Sequence, residues 1–93
     1  MILSFADDET KAVFDDFSCP SFPPSILTTA RRKLIQLNTS HLLSDLRIPP
    51  GNRLEPLKGN RKGQYSIRIN DQWRICFRWT GTDATHVGIT DYH

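Results

Sequence analysis

Two kinds of residue in this chain could do chemistry. Arg68, Arg74 and Arg78 stand at even-numbered positions of two alternating runs, and the basic turn Lys58-Gly-Asn-Arg61-Lys62-Gly63 precedes them. The chain then closes on Asp91-Tyr92-His93. Eight of the twelve bases are arginine, and a planar guanidinium fork suits bidentate phosphate recognition better than an ammonium does. The same pattern is also what the solvent face of an amphipathic sheet carries, and charge count alone does not separate the two. There is no phosphate-binding glycine loop, no metal-ligand cluster and no Ser-His-Asp order, so no cofactor and no metal are expected. His41 and His86 read as ordinary surface residues.

The element that must position the arginines is a β-hairpin over residues 63–79. Tyr65, Ile67 and Ile69 alternate with Gln64, Ser66, Arg68 and Asn70, and Trp73, Ile75, Phe77 and Trp79 alternate with Arg74, Cys76 and Arg78. Period-two alternation in two runs, split by turn formers, reads as strand-turn-strand. All the apolar residues are odd-numbered. Odd must therefore pair with odd, which requires an odd-length loop, either residues 70–72 or residues 71–73. A two-residue loop would set Ile69 against Arg74 and scramble the faces unless a bulge corrected it. With the odd loop, the aromatic set faces the core, and Arg68, Arg74 and Arg78 share the other surface.

Length and charge bound the rest. At 93 residues the chain suits one domain with a single modest core. The net charge of +2 is unevenly spread. Asp7, Asp8, Glu9, Asp15 and Asp16 crowd the start, whereas Arg53, Lys58, Arg61, Lys62, Arg68, Arg74 and Arg78 crowd the later half. Cys19 and Cys76 have no partner at metal or redox-motif spacing and read as free thiols. The opening Met-Ile-Leu-Ser-Phe is too short and uncharged for a signal peptide, and no apolar run is long enough to span a bilayer. A cytoplasmic location is expected.

Along the chain, residues 1–5 are β-prone and read as a short strand that joins the sheet non-locally. Asp7 offers a helix cap, with acids in the first turn and Val13, Phe14 and Phe17 on an apolar side. Pro20, Pro23 and Pro24 end that helix. A longer helix starts near Pro24 or Ser25 and stops near Asn38. Its stripe is Leu27, Ala30, Leu34 and Leu37, widened by Ile26 and Ile35, with Arg31, Arg32 and Lys33 mostly off it. Leu42, Leu43 and Leu46 predict another short helix. Residues 53–57 predict an edge strand, because Pro56 cannot donate to a ladder. Residues 85–93 predict a last strand with Val87 and Ile89 inward. Strand, helices and then four strands argue for an α+β fold on a largely antiparallel sheet.

The residues Arg31-Arg-Lys-Leu34, Leu46-Arg-Ile-Pro-Pro-Gly-Asn-Arg-Leu54, Leu57-Lys-Gly59, the run 63–79 and the closing Asp91-Tyr92-His93 resemble the HigB toxins of the RelE/ParE superfamily. The likeness is close over residues 25–93 and general over residues 1–24. It implies a RelE-like domain over residues 1–93, with an N-terminal strand and two or three helices packed on a twisted sheet. It also implies a ribosome-dependent endonuclease that cuts mRNA in the ribosomal A site. The implied partners are a HigA-type helix-turn-helix antitoxin, the ribosome and its message, with operator DNA met only through the antitoxin and no membrane.

Carried over position by position, the resemblance implies catalytic roles for Arg74, Tyr92 and His93, and RNA binding by Lys58, Arg61 and Lys62. Arg68 and Arg78 join the RNA-binding set from their place on the same face. RNA cleavage needs attack by the 2′-OH on the adjacent phosphate, the group that separates RNA from DNA as a substrate. Arg74 suits the charge that grows on the phosphate, and His93 suits the general acid, its imidazolium favoured by the nearby terminal carboxylate. Tyr92 would stack on a base or orient the phosphate, and no residue reads as an obvious general base. The competing function is a non-catalytic, ParE-like inhibitor of DNA gyrase on the same scaffold. A further one is an inactivated toxin kept as an antitoxin partner.

Overall fold

The computed structural model describes residues 1–91. Its elements are α1 (Asp8–Phe14), α2 (Pro24–Thr39), β1 (Glu55–Pro56), β2 (Gln64–Arg68), β3 (Trp73–Trp79) and β4 (Ala84–Asp91), with 3₁₀ turns at Leu43–Arg47, Pro50–Asn52 and Gly59–Arg61. The four strands form one antiparallel sheet in chain order. The α+β expectation holds.

The hairpin register is the odd one. Ile67 faces Ile75, Tyr65 faces Phe77 and Arg68 faces Arg74. The Ile69 N–H donates to the Trp73 carbonyl at 2.9 Å, so the loop is the three residues Asn70, Asp71 and Gln72. Asn70 holds it shut: its side-chain oxygen accepts from the backbone N–H of both Gln72 and Trp73, each at 2.8 Å.

That register sends one side chain set inward. Ile67, Ile69, Ile75 and Phe77 join Val87 and Ile89 of β4 and Ile26, Ala30, Leu34 and Leu37 of α2 in one buried cluster. Tyr65, Trp73 and Trp79 are half-buried against its rim, Trp73 meeting Phe22 edge-on at 5.6 Å. Both tryptophans pack, as their parity predicts.

The N-terminal segment makes two parallel bridges to β4, Ile2 with Ala84 and Phe5 with Val87, rather than a full strand. Asp7 caps α1, its carboxylate accepting from the Thr10 N–H. α2 begins at Pro24, where a missing N–H leaves nothing unsatisfied.

Several expectations are corrected. Phe17 is 70% exposed, because α1 stops at Phe14 and Asp16 turns the chain through a left-handed conformation (φ 64°). Ile35 lies on the outer side of α2, while Lys33, expected off the stripe, is buried at 8% exposure. Position 33 falls three residues after Ala30 and four before Leu37, so it shares their face. The predicted helix near Leu42 is a 3₁₀ turn that buries Leu46 and leaves Leu42 outside. The edge strand shrinks to Glu55–Pro56, since Arg53 adopts a left-handed backbone.

These contacts predict an asymmetry between two leucines. Leu34→Ala should cost about 2–5 kcal/mol, whereas Leu42→Ala should stay within about 0.5 kcal/mol. Urea titration of both variants reads this directly, and equal losses would mean that the core is misassigned.

Candidate functional site

The face of the sheet turned away from the core cluster carries the even-numbered residues of β2 and β3. Its floor is made of small side chains: Ser66 pairs with Cys76, and Cys76 pairs with Gly88. A Cβ at Gly88 would stand 3.2 Å from the Ala6 Cβ and 3.3 Å from Asp7 Oδ2. A glycine there lets the start of the chain close one wall. The result is a concavity of about 520 Å³ lined by Ala6, Asp7, Arg61, Gln64, Cys76, Arg78, His86, Gly88 and Thr90.

Arg78 and Arg61 supply its positive charge, and both are exposed. Arg78 lies over the turn into β2, its Nη1 only 3.4 Å from where a Cβ on Gly63 would sit. Gly63 has φ 95°, a backbone conformation that favours glycine in this turn.

His86 reaches the same concavity through a β-bulge. Cys76 pairs with Gly88 and Arg78 pairs with Thr85, so the single residue Phe77 stands opposite His86 and Val87. The extra residue puts His86 at φ 54°, a left-handed conformation that costs a non-glycine residue energy and recurs at functional sites. Taken singly, His86 carries no role. The sequence signal that could have found it is parity: His86 alternates with Gly88 and Thr90, which line the same concavity.

Arg74 shares this face but is 8% exposed. Its Nε donates to Ser66 Oγ at 2.8 Å and its Nη2 donates to the Arg53 carbonyl at 2.7 Å. Glu55 Oε1 lies 3.3 Å from the same Nη2. A guanidinium held from three directions is pre-oriented, and it is also part of the fold. Arg68 has a different environment: it pairs with Asp71 and lines a second pocket beside α2. The three strand arginines share a face, yet only Arg78 lines the concavity. Lys58 and Lys62 are exposed in the turn that carries Arg61 and do not line it. Tyr92 and His93 lie outside the described residues.

Among the described residues, no group of three His, Cys, Asp or Glu side chains could hold a metal ion. Cys19 and Cys76 are both free and buried, and no described helix is long and apolar enough to cross a membrane.

Comparison with known proteins follows the same lines. Residues 3–93 match the family described as RelE-like toxin of type II toxin-antitoxin system HigB. Toxin HigB-1 of Vibrio cholerae serotype O1 is 45% identical over 80 residues, which cover 85% of this chain and 84% of that one. Endoribonuclease HigB of Proteus vulgaris is 30% identical over 93 residues, the full length of both chains. A solved YoeB/ParE toxin from Agrobacterium tumefaciens aligns with 98% of this chain and 92% of its own, at 20% identity and a TM-score of 0.46.

Two substitutions test the geometry. Arg74→Ala strips partners from the Ser66 hydroxyl and the Arg53 carbonyl, and should cost about 1–3 kcal/mol. His86→Gly removes a side chain from a left-handed position and should raise stability by about 1 kcal/mol. Urea melts showing a loss for both would mean that His86 is held by packing rather than tolerated at the bulge.

Proposed function

This chain belongs to the HigB-like family of RelE-like toxins from type II toxin–antitoxin systems, and on that premise we propose that it is an endoribonuclease that cuts mRNA in the ribosomal A site. The observation that carries this reading is the small-floored concavity ringed by Arg61, Arg78 and His86, beside the fixed guanidinium of Arg74. The relative named Endoribonuclease HigB supports the reaction class over the whole length of the chain.

In this reading the 2′-OH of one nucleotide attacks its own 3′ phosphate. A new 2′-O–P bond forms as the P–O5′ bond breaks, giving a 2′,3′-cyclic phosphate and a free 5′-OH. One proton leaves the 2′-OH for solvent or a base, and one is delivered to O5′. Arg74 neutralises the charge that builds on the non-bridging oxygens, and its prior fixation by Ser66 and Arg53 spares reorganisation during the step. His93 delivers the proton to O5′ and Tyr92 orients the phosphate or stacks on a base. Arg61, Arg78, Lys58, Lys62 and Arg68 hold the RNA backbone through its phosphates. His86 adds a contact inside the concavity. The ribosome supplies the alignment of the message that a shallow face lacks.

The partner that restrains the toxin in the cell is an antitoxin, as its family requires. A HigA-type helix-turn-helix protein fits that role, with operator DNA reached only through it, and the cytoplasm is where message and ribosome meet.

The test is in vitro translation with primer extension on the message. Cuts within codons at the A site are expected. Arrested translation without cuts would sink the nuclease reading, and inhibited gyrase supercoiling would replace it with the gyrase-inhibitor one. Deleting His93 should slow single-turnover cleavage on programmed ribosomes by about 10²–10⁴-fold.

A further inference from the structure

A second basic pocket lies outside the concavity, where α2 meets the end of the hairpin. It has a volume of about 600 Å³ and is lined by Thr29, Arg32, Lys33 and Gln36 from α2, by Pro49, Gly51 and Asn52, and by Arg68 and Ile69. The four α2 residues fall at i, i+3, i+4 and i+7, which is a single helical face.

Three cations meet here with little to neutralise them. Among the described residues, neither Arg32 nor Lys33 pairs with a carboxylate, and Arg68 pairs only with Asp71, whose side chain is 98% exposed. An ion pair that exposed contributes little and is readily exchanged for a better anion. Lys33 Nζ donates to the Arg68 carbonyl, so the α2 cation is tied to the main chain at the end of β2. Burial, reinforced by the positive charges of Arg32, Arg68 and Arg74, holds the Lys33 ammonium below its ordinary pKa. Positive charge is therefore concentrated at a cost to the fold, and an arriving anion relieves that cost.

The opposite wall is braced. Asn52 is fully buried and its Nδ2 donates to Gln36 Oε1 at 3.0 Å and to the Leu46 carbonyl at 3.1 Å. Gln36 Nε2 in turn donates to the Ile48 carbonyl. A pocket whose wall is already hydrogen-bonded loses little entropy when a ligand enters.

We propose that the pocket of Arg32, Lys33 and Arg68 is a second phosphodiester site, which holds RNA backbone beyond the strand engaged by the concavity. The site rests on the RNA-cleaving reading of the chain and extends it. Arg68 lies at the end of β2 and pairs with Arg74 across the hairpin, so the pocket adjoins the basic residues of the sheet. Few apolar side chains line the pocket, which favours a phosphodiester over a protein side chain as occupant. Both the message and ribosomal RNA carry that chemistry, and the experiment separates them.

The measurement is the affinity of the full-length protein for ribosomes at several salt concentrations. One set of ribosomes is message-free, and the other is programmed with a message made uncleavable by 2′-deoxy substitution in the A-site codon. Arg32 is exposed, so Arg32→Gln spares the fold. It should weaken binding about five- to tenfold and flatten the slope of log K against log salt by about 0.7, the loss of one phosphate contact to a single strand. Thr29→Lys adds a cation to the same wall and should shift both quantities the opposite way. An effect on programmed ribosomes alone identifies the message as the occupant, and an equal effect on both sets identifies ribosomal RNA. Unchanged affinity and slope in both variants, with wild-type protein still binding and cutting, would overturn the second site while leaving the endonuclease intact. A defect confined to antitoxin binding would overturn it too and assign the pocket to an acidic protein. If wild-type protein neither binds ribosomes nor cuts message, the endonuclease reading itself fails.

Discussion

The constraint on which everything else depends is the pairing of odd with odd across the β2–β3 hairpin. A shift of β3 by one residue would turn Ile75 and Phe77 to water and drive Arg74 and Arg78 against α2. A single side chain guards against this. Asn70 closes the three-residue loop by accepting two backbone N–H groups that the loop would otherwise leave unpaired. The core and the basic face are thus one decision, made at the hairpin tip and read out on both sides of the sheet.

The hairpin, its loop length, the two helices and the edge position of Pro56 were all legible in the sequence, because each rests on local periodicity or on a residue with few conformational options. Burial on the second face was not. Parity put Arg74 beside Arg78, but only tertiary folding shows that Arg53 and Glu55 cover the one and leave the other open. Lys33 was misread for a related reason. Its residue type says surface, whereas its spacing from Ala30 and Leu37 says interior, and the long side chain satisfies both by burying its stem and bonding a carbonyl. His86 reads as ordinary surface because a lone histidine at a strand edge carries no signal of its own, although it shares its parity with Gly88 and Thr90 of the concavity.

Membership in the HigB-like family gives the second face its meaning. Its cations are not alike. Arg74 is fixed by three oxygens and serves the fold, while Arg61 and Arg78 are exposed at the concavity.

The start of the chain has a role beyond closing one wall of the concavity. Along the outer side of β4, the N–H groups of Ala84 and Val87 donate to the carbonyls of Met1 and Ser4, that of His86 to the Ser4 hydroxyl and that of Ile89 to the Thr10 hydroxyl. At the other margin β1 is two residues long and carries a proline. Among the described residues, neither margin of the sheet presents a long run of open donors and acceptors on which another strand could grow. Margins covered in this way disfavour edge-to-edge pairing between copies of the chain.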